Sequence, residues 1–183
     1  MDERNKNMSI VFEAVLKELK SRKILRLPAE ASEKLPSRGM VMVRGTINGA
    51  AFQAPLEPDG KGSHWLDVSG ALFEAAGAAV GETVACDIEP AEAWPEPEMP
   101  GDIMTAIIQA GLDNQWAGLT TKARWEWLRW IRSTNSPATR QKRIIVACSK
   151  LQKGDRRPCC FNAAGCTVPD VSKSSVLLDE QDK

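Results

Sequence analysis

The sequence predicts an α+β protein: a small N-terminal antiparallel β-barrel with short helices, followed by a C-terminal three-helix unit. Three observations carry that expectation. Residues 1–92 alternate short β-rich runs with Asn, Asp and Gly turn signals. Residues 101–155 place apolar side chains at helical spacing between residues that cap helices. Between the two, residues 90–100 hold four prolines and three glutamates, which leaves too few N–H donors for a ladder and too little freedom for a helix. The expected organisation is a barrel domain at 8–92, a Pro-rich linker at 93–100, a helical domain at 101–155, and a cysteine-bearing extension with a mobile tail at 156–183.

Taken in order, the first segment, 10–19, is ambiguous. Val11, Val15 and Leu19 repeat at helical spacing, while Ile10, Phe12, Ala14 and Leu16 repeat at two. Residues 23–27 read as a strand stopped by Pro28, and 29–35 as a short helix. Residues 40–47 run as a strand into Asn48-Gly49, the dipeptide of a type I′ hairpin, so 50–54 is expected to fold back on it. Residues 58–62, Pro-Asp-Gly-Lys-Gly, form a turn, and 64–68 and 83–88 are further strands. Between these two, 69–79 is expected to be a helix capped by Ser69 and closed near Gly81. In the second half Asp102 is expected to cap a helix over 103–110 that Gly111 ends, and Thr120 or Thr121 to cap one through Ile131. Ser136-Pro137 opens a third helix, running to about Lys153 before Gly154. From Val171 onward large residues are few, so the tail is expected to be mobile.

Composition narrows the function classes. The chain has 183 residues, 43% hydrophobic and 26% charged, with 24 Lys+Arg against 24 Asp+Glu, which excludes a wholly disordered or polybasic chain. No apolar run reaches the roughly 20 residues of a membrane span. With no signal peptide in 1–20, the expected location is cytoplasmic. Net neutrality hides an asymmetry: 11 basic against 16 acidic residues over 1–100, and 13 against 8 over 101–183. Within 120–157 the balance is 11 basic residues against only Glu126 and Asp155. That segment is suited to an anion.

Two constellations invite chemistry. Four of the five cysteines, Cys148, Cys159, Cys160 and Cys166, fall within 19 residues beside Arg156-Arg157. Cys159, Cys160 and Cys166 are therefore the candidate metal ligands, zinc being the metal that thiolates favour, or else redox-active thiols. The spacing departs from the paired Cys-x-x-Cys of zinc ribbons, and adjacent cysteines rarely direct both sulfurs at one ion, so ordinary buried or solvated thiols are the stronger expectation and no cofactor the default. Second, Trp116, Trp125, Trp127 and Trp130 interleave with arginines, of which Arg129, Arg132, Arg140 and Arg143 are the candidate anion-binding set. Nucleic acid is one polyanion such a set would meet, and a helical core stripe with a basic solvated face is the plainer reading. No catalytic residue is assigned. His64 is the sole histidine and reads as a satisfied barrel residue, and Gly60-Lys61-Gly62-Ser63 lacks the strand–loop–helix setting of a phosphate loop.

The run RLPAEASEKLPSRGMVMVRGTINGAAFQAPLEPDGKGSHWLDV resembles the small β-barrel domain of unknown function that often precedes a bacteriocin-protection (YdeI/OmpD-associated) domain. TTKARWEWLRWIRSTNSPATRQKRI resembles that second domain, through Trp130-Ile131, a spacer, and Thr139-Arg140-Gln141-Lys142-Arg143-Ile144. Residues 133–137, Ser-Thr-Asn-Ser-Pro, stand where an alanine–lysine spacer is commoner. The resemblance implies a strand at 10–19 and a bacterial stress- or bacteriocin-protection-type protein, and it carries no active-site residues. The expectation is a non-catalytic protein, monomer or homodimer, that binds an anionic partner through its basic helical half, with a zinc-binding or redox-linked thiol protein as the alternative.

Overall fold

The computed structural model describes residues 9–68, 70–158 and 161–179. The chain folds as two compact units. Of the described residues, the first holds those of 9–92 together with 163–166 and 171–179; the second holds those of 93–162 and 167–170.

The first unit is an antiparallel half-barrel of seven strands: β1 (Ile10–Val15), β2 (Lys17–Leu19), β3 (Arg22–Arg26), β4 (Val41–Ile47), β5 (Ala50–Pro58), β6 (His64–Asp67) and β7 (Thr83–Pro90), ordered β1-β7-β4-β5-β6-β3-β2. The two end strands are consecutive in sequence, separated only by Leu16. One bent segment thus pairs with β7 through β1 and with β3 through β2. This explains the mixed periodicity of 10–19, where two strands meet at a bend. Asn48 and Gly49 both take positive φ, 49° and 82°, and Ile47 faces Ala50 across the expected tight hairpin. β5 runs beyond the expected 54 to Pro58. Pro55 is tolerated there because the second neighbour of β5, β6, pairs only from Glu57 onward. Gly45 sits where a Cβ would overlap the Asp87 carbonyl of β7, so that strand crossing needs glycine.

Alternate side chains of these strands, among them Ile10, Leu25, Val43, Leu56, Leu66, Val84 and Ile88, form one buried core. Two helices close it, α1 (Ala29–Glu33) and α2 (Ala71–Ala76). The helix expected over 69–79 is shorter than predicted, with Gly70 at its N-cap position and left-handed Gly77, not Gly81, ending it; Ser69 lies outside the described residues.

The second unit is helical: α3 (Gly101–Gln109), α4 (Asp113–Ala117), α5 (Thr121–Arg132) and α6 (Pro137–Gln152). The three predicted helices are present, together with the short α4, whose five residues are too few to show a period. Thr120 accepts from Ala123 N–H at 3.1 Å and Ser136 from Thr139 N–H at 3.2 Å, so the caps of α5 and α6 lie where the sequence placed them. The first helix differs. Its N-cap position is Pro100, and Asp102 lies inside the first turn, with its carboxylate taken up by Arg140. Ile103, Ile107, Leu119, Trp127, Leu128, Ile131, Ile144 and Leu151 pack into a separate core.

Residues 91–100 hold no helix or strand, yet they are tied to α5. Trp94 meets Trp125 edge to face at 6.5 Å between centroids, and Trp125 Nε1 donates to the Pro95 carbonyl at 2.8 Å. Nor does the described part of the tail run free. After a 3-10 turn at Pro169–Val171 it forms a small hairpin, β8 (Ser172–Lys173) and β9 (Val176–Leu177), that belongs to the first unit. Val171 and Leu177 are almost wholly buried, which holds a segment that composition alone marks as mobile. No helix among the described residues is long and apolar enough to cross a membrane.

Candidate functional site

The basic residues of the helical unit lie on α5, α6 and the turn after α6, and their surroundings differ sharply. Arg129, on the inner face of α5 beside Trp127 and Leu128, is 1% exposed, with its guanidinium carbon 5.6 Å from the Phe161 ring centroid. It is a buried cation stacked on an aromatic face, not a surface donor. Arg143 reaches from α6 to the end of α5, where Nη1 donates to the Trp130 carbonyl at 2.9 Å and to Ser133 Oγ at 2.6 Å, the guanidinium lying 5.7 Å from the Trp130 ring. A cation there satisfies a last-turn carbonyl and opposes the negative end of the helix dipole.

Arg140 forms a two-pronged pair with Asp102, Nε to Oδ2 at 2.8 Å and Nη2 to Oδ1 at 3.0 Å. The bond from Arg140 holds the Asp102 carboxyl below its usual range and raises Arg140 in turn. Arg132 is exposed and engaged in an interaction of its own. The four predicted arginines therefore do not converge on one open pocket: one is buried, one caps a helix, one is paired with a carboxylate and one is at the surface.

Further cations complete the picture. Arg124 Nη1 donates to the carbonyl of Leu119, and its guanidinium pairs with Glu96, a bond that holds the Glu96 carboxyl below its usual range. This Arg124–Glu96 pairing spans 28 residues and had no local signal in the sequence. Lys122 lies 5.7 Å from the centre of the Trp94 ring. On α6 and at its C-cap, Lys142 and Lys153 are exposed and Lys150 half-buried, with Ile145, 61% exposed, between them in sequence. Among the described residues no carboxylate pairs with these three lysines. The same unit also carries an apolar groove of about 330 Å³ floored by Met99, Met104, Ile107, Ile108 and Trp116. Its polar rim is Glu96 and Asp113, a lining that disfavours an anion.

The half-barrel holds a buried polar cluster around His64. His64, 1% exposed at the start of β6, must donate from Nε2 to the Gly39 carbonyl at 2.8 Å, since that oxygen can only accept. Nδ1 then accepts from Ser32 Oγ at 2.7 Å, and Ser32 Oγ accepts from Arg38 Nη1 at 3.2 Å. Arg38 also reaches the Ser32 carbonyl at 2.5 Å and the Leu35 carbonyl at 3.2 Å, capping α1. Burial lowers the pKa of His64, and the nearby Arg38 charge adds to that. A neutral imidazole with both nitrogens bonded is the satisfied barrel residue the sequence suggested. A hydroxyl beside an imidazole is also half of a nucleophilic pair, but Ser32 is 1% exposed and walled off from substrate.

Of the cysteine cluster, Cys159 and Cys160 lie outside the described residues. Cys166 is a buried thiol of the first unit, and Cys148 a partly buried one on α6 whose pKa burial raises. Cys86, inside the half-barrel, is pushed up to about 11 by burial. Among the described residues no group of three or more His, Cys, Asp or Glu side chains is placed to hold a metal ion.

Comparison with known proteins follows the same division. Residues 12–88 match the family model described as a domain of unknown function, DUF1905, and residues 96–154 match the one described as Bacteriocin-protection, YdeI or OmpD-Associated. No curated protein matches the chain.

Proposed function

The chain is a YdeI/OmpD-associated family protein with an N-terminal domain of unknown function, and from that premise we propose that it is a non-catalytic, bacteriocin-protection-type protein that binds an anionic partner through its helical unit. One observation carries the reading. The outer face of α6 presents Lys142, Lys150 and Lys153, which no described carboxylate neutralises, whereas Arg140 is already paired with Asp102 and Arg143 caps the end of α5. Lys142 and Lys153 stand eleven residues apart, about 16 Å along the helix, so they would reach successive charges of an extended polyanion. Arg140 contributes by exchange, releasing Asp102 for a phosphate or carboxylate of the partner, and Arg132 extends the surface from α5. The assignment of a binding role rests on the chemistry available, since the sole histidine is engaged at both nitrogens.

The test is a titration of the full chain with a labelled DNA duplex and with a heparin fragment at about 20 mM and about 200 mM salt. Binding that weakens steeply with salt is expected, by several powers of ten for six or more neutralised phosphates and less for fewer. Lys142→Glu with Lys153→Glu should abolish it, and Arg140→Ala should weaken it slightly. No binding of either probe at the lower salt overturns the reading.

A further inference from the structure

We propose that the outer face of the half-barrel at Arg26, Trp65 and Lys61 is a docking surface for an extended acidic peptide, and that the chain's own C-terminal hairpin occupies it as a tethered stand-in. This goes beyond the anion-binding reading, which concerns the helical unit.

The register defines the surface. Trp65 on β6 faces Arg26 on β3 and Glu57 on β5, so these three side chains share a face, opposite to the core side taken by Leu25 and Leu66. An outward-facing tryptophan is ordinarily exposed, yet Trp65 is 0% exposed, so something covers it. The C-terminal segment reaches from β3 to the turn that joins β5 to β6. Leu177 N–H donates to the Asp59 carbonyl at 2.8 Å, Arg26 Nη2 donates to the Leu178 carbonyl, and Asp179 pairs with Arg26 at 3.2 Å and with Lys61 at 3.4 Å. Those contacts are an extended main chain and a carboxylate read by two cations, the chemistry of an acidic peptide.

Three features make the hairpin a stand-in rather than a fixed layer. Its strands are two residues each. Its turn places Ser174 and Ser175 at φ of 52° and 64°, where glycine or asparagine would be at ease. It also leaves the Trp65 indole Nε1 buried with no acceptor among the described residues. A partner main chain that offers a carbonyl to that N–H fits the surface better than the resident segment does. Gly60, φ 80°, lets a main chain lie directly against this surface, since a Cβ there would overlap the Ser175 carbonyl oxygen.

The experiment uses the full chain and a labelled peptide of residues 172–183, followed by fluorescence anisotropy. Leu177→Asp in the chain undocks the hairpin without touching the surface, so this variant should bind the peptide about tenfold or more tighter than the original chain does. Adding Arg26→Ala should remove the gain, and a peptide carrying Asp179→Ala should bind several-fold more weakly. Equal binding by the original chain and a folded Leu177→Asp chain overturns the proposal. Where Leu177→Asp loses the near-UV signature of the half-barrel, Asp179→Ala in the chain decides, because Asp179 is exposed and the change removes its ion pairs with Arg26 and Lys61: a gain of about threefold in peptide binding is expected, and no gain overturns it. Hydrogen exchange on the original chain gives a separate reading. The Leu177 amide should exchange far faster than the amides paired between β4 and β5, and equal protection overturns the proposal.

Discussion

His64 with Ser32 in the half-barrel and Arg140 with Asp102 in the helical unit are joined by bonds of nearly equal length, 2.7 and 2.8 Å, between segments more than thirty residues apart. Their surroundings separate them. The first pair is 1% exposed at each member and wired onward to Arg38 and the Gly39 carbonyl; the second leaves 29% of the arginine and 47% of the aspartate side chain in water. Distance therefore does not measure worth. A buried pair is costly to break because each partner left behind has no water to turn to, while a surface pair exchanges one set of partners for another. The half-barrel adds a buried polar network to its apolar core, whereas the helical unit, Arg129 apart, keeps its ion pairs nearer the surface.

The largest effect expected from that contrast is Trp127→Ala. Trp127 is fully buried in the helical core and its Nε1 donates to the Arg156 carbonyl at 3.1 Å. Truncation should cost about 4 kcal/mol. Urea denaturation followed by helical circular dichroism measures it, and a loss below about 1 kcal/mol would mean that surface contacts, not the core, hold the helical unit. Next comes His64→Ala, which strands Ser32 Oγ and the Gly39 carbonyl and leaves the space of a ring. About 3 kcal/mol is expected, confined to the half-barrel transition. His64→Gln, which retains donors and an acceptor, should recover part of it.

These two residues also show what was legible in the sequence. Trp127 announced itself through neighbours four apart on one helical face, and the hairpin at Asn48-Gly49 and the caps Thr120 and Ser136 were readable because their signals lie within a few residues. His64 was placed at a strand entry, but its partners Ser32 and Gly39 lie 32 and 25 residues away, and no local pattern names them. Arg129 looked like its neighbours Arg132 and Arg140 as a letter. Only the rotation of α5 around Trp127 and Leu128 turns it inward. The hairpin after Pro169 was invisible for a related reason: its two buried anchors, Val171 and Leu177, sit in a polar stretch too short to show alternation.

A third effect sharpens the comparison by pH. The folded-state pKa of His64 is lowered, so the unfolded chain binds the extra proton first as pH falls below about 6.5, its unperturbed value. Stability of the half-barrel is therefore full above that pH. It declines as pH falls toward the folded-state value, with a slope of at most about 1.4 kcal/mol per pH unit for one proton. Urea midpoints at pH 7.5 and 5.5 should differ for the original chain and differ less for His64→Gln. The helical unit, which has no histidine, should show no such slope in this window.

The smallest effect belongs to Arg140→Ala. Its pair with Asp102 is well formed, with two bonds to the two carboxylate oxygens, and its direction of pKa change is favourable on both sides. Solvent screens it all the same, and holding a long arginine in place costs side-chain freedom, so a stability loss of no more than about 0.5 kcal/mol is expected. The same substitution also frees the Asp102 carboxylate, whose pKa should rise toward the ordinary aspartate value once Arg140 is gone, a change that carbon-detected NMR titration reads directly. A loss above about 2 kcal/mol with the Asp102 titration unmoved would place Arg140 among the contacts that build the helical unit, and would erase the distinction between its surface charges and the buried network around His64.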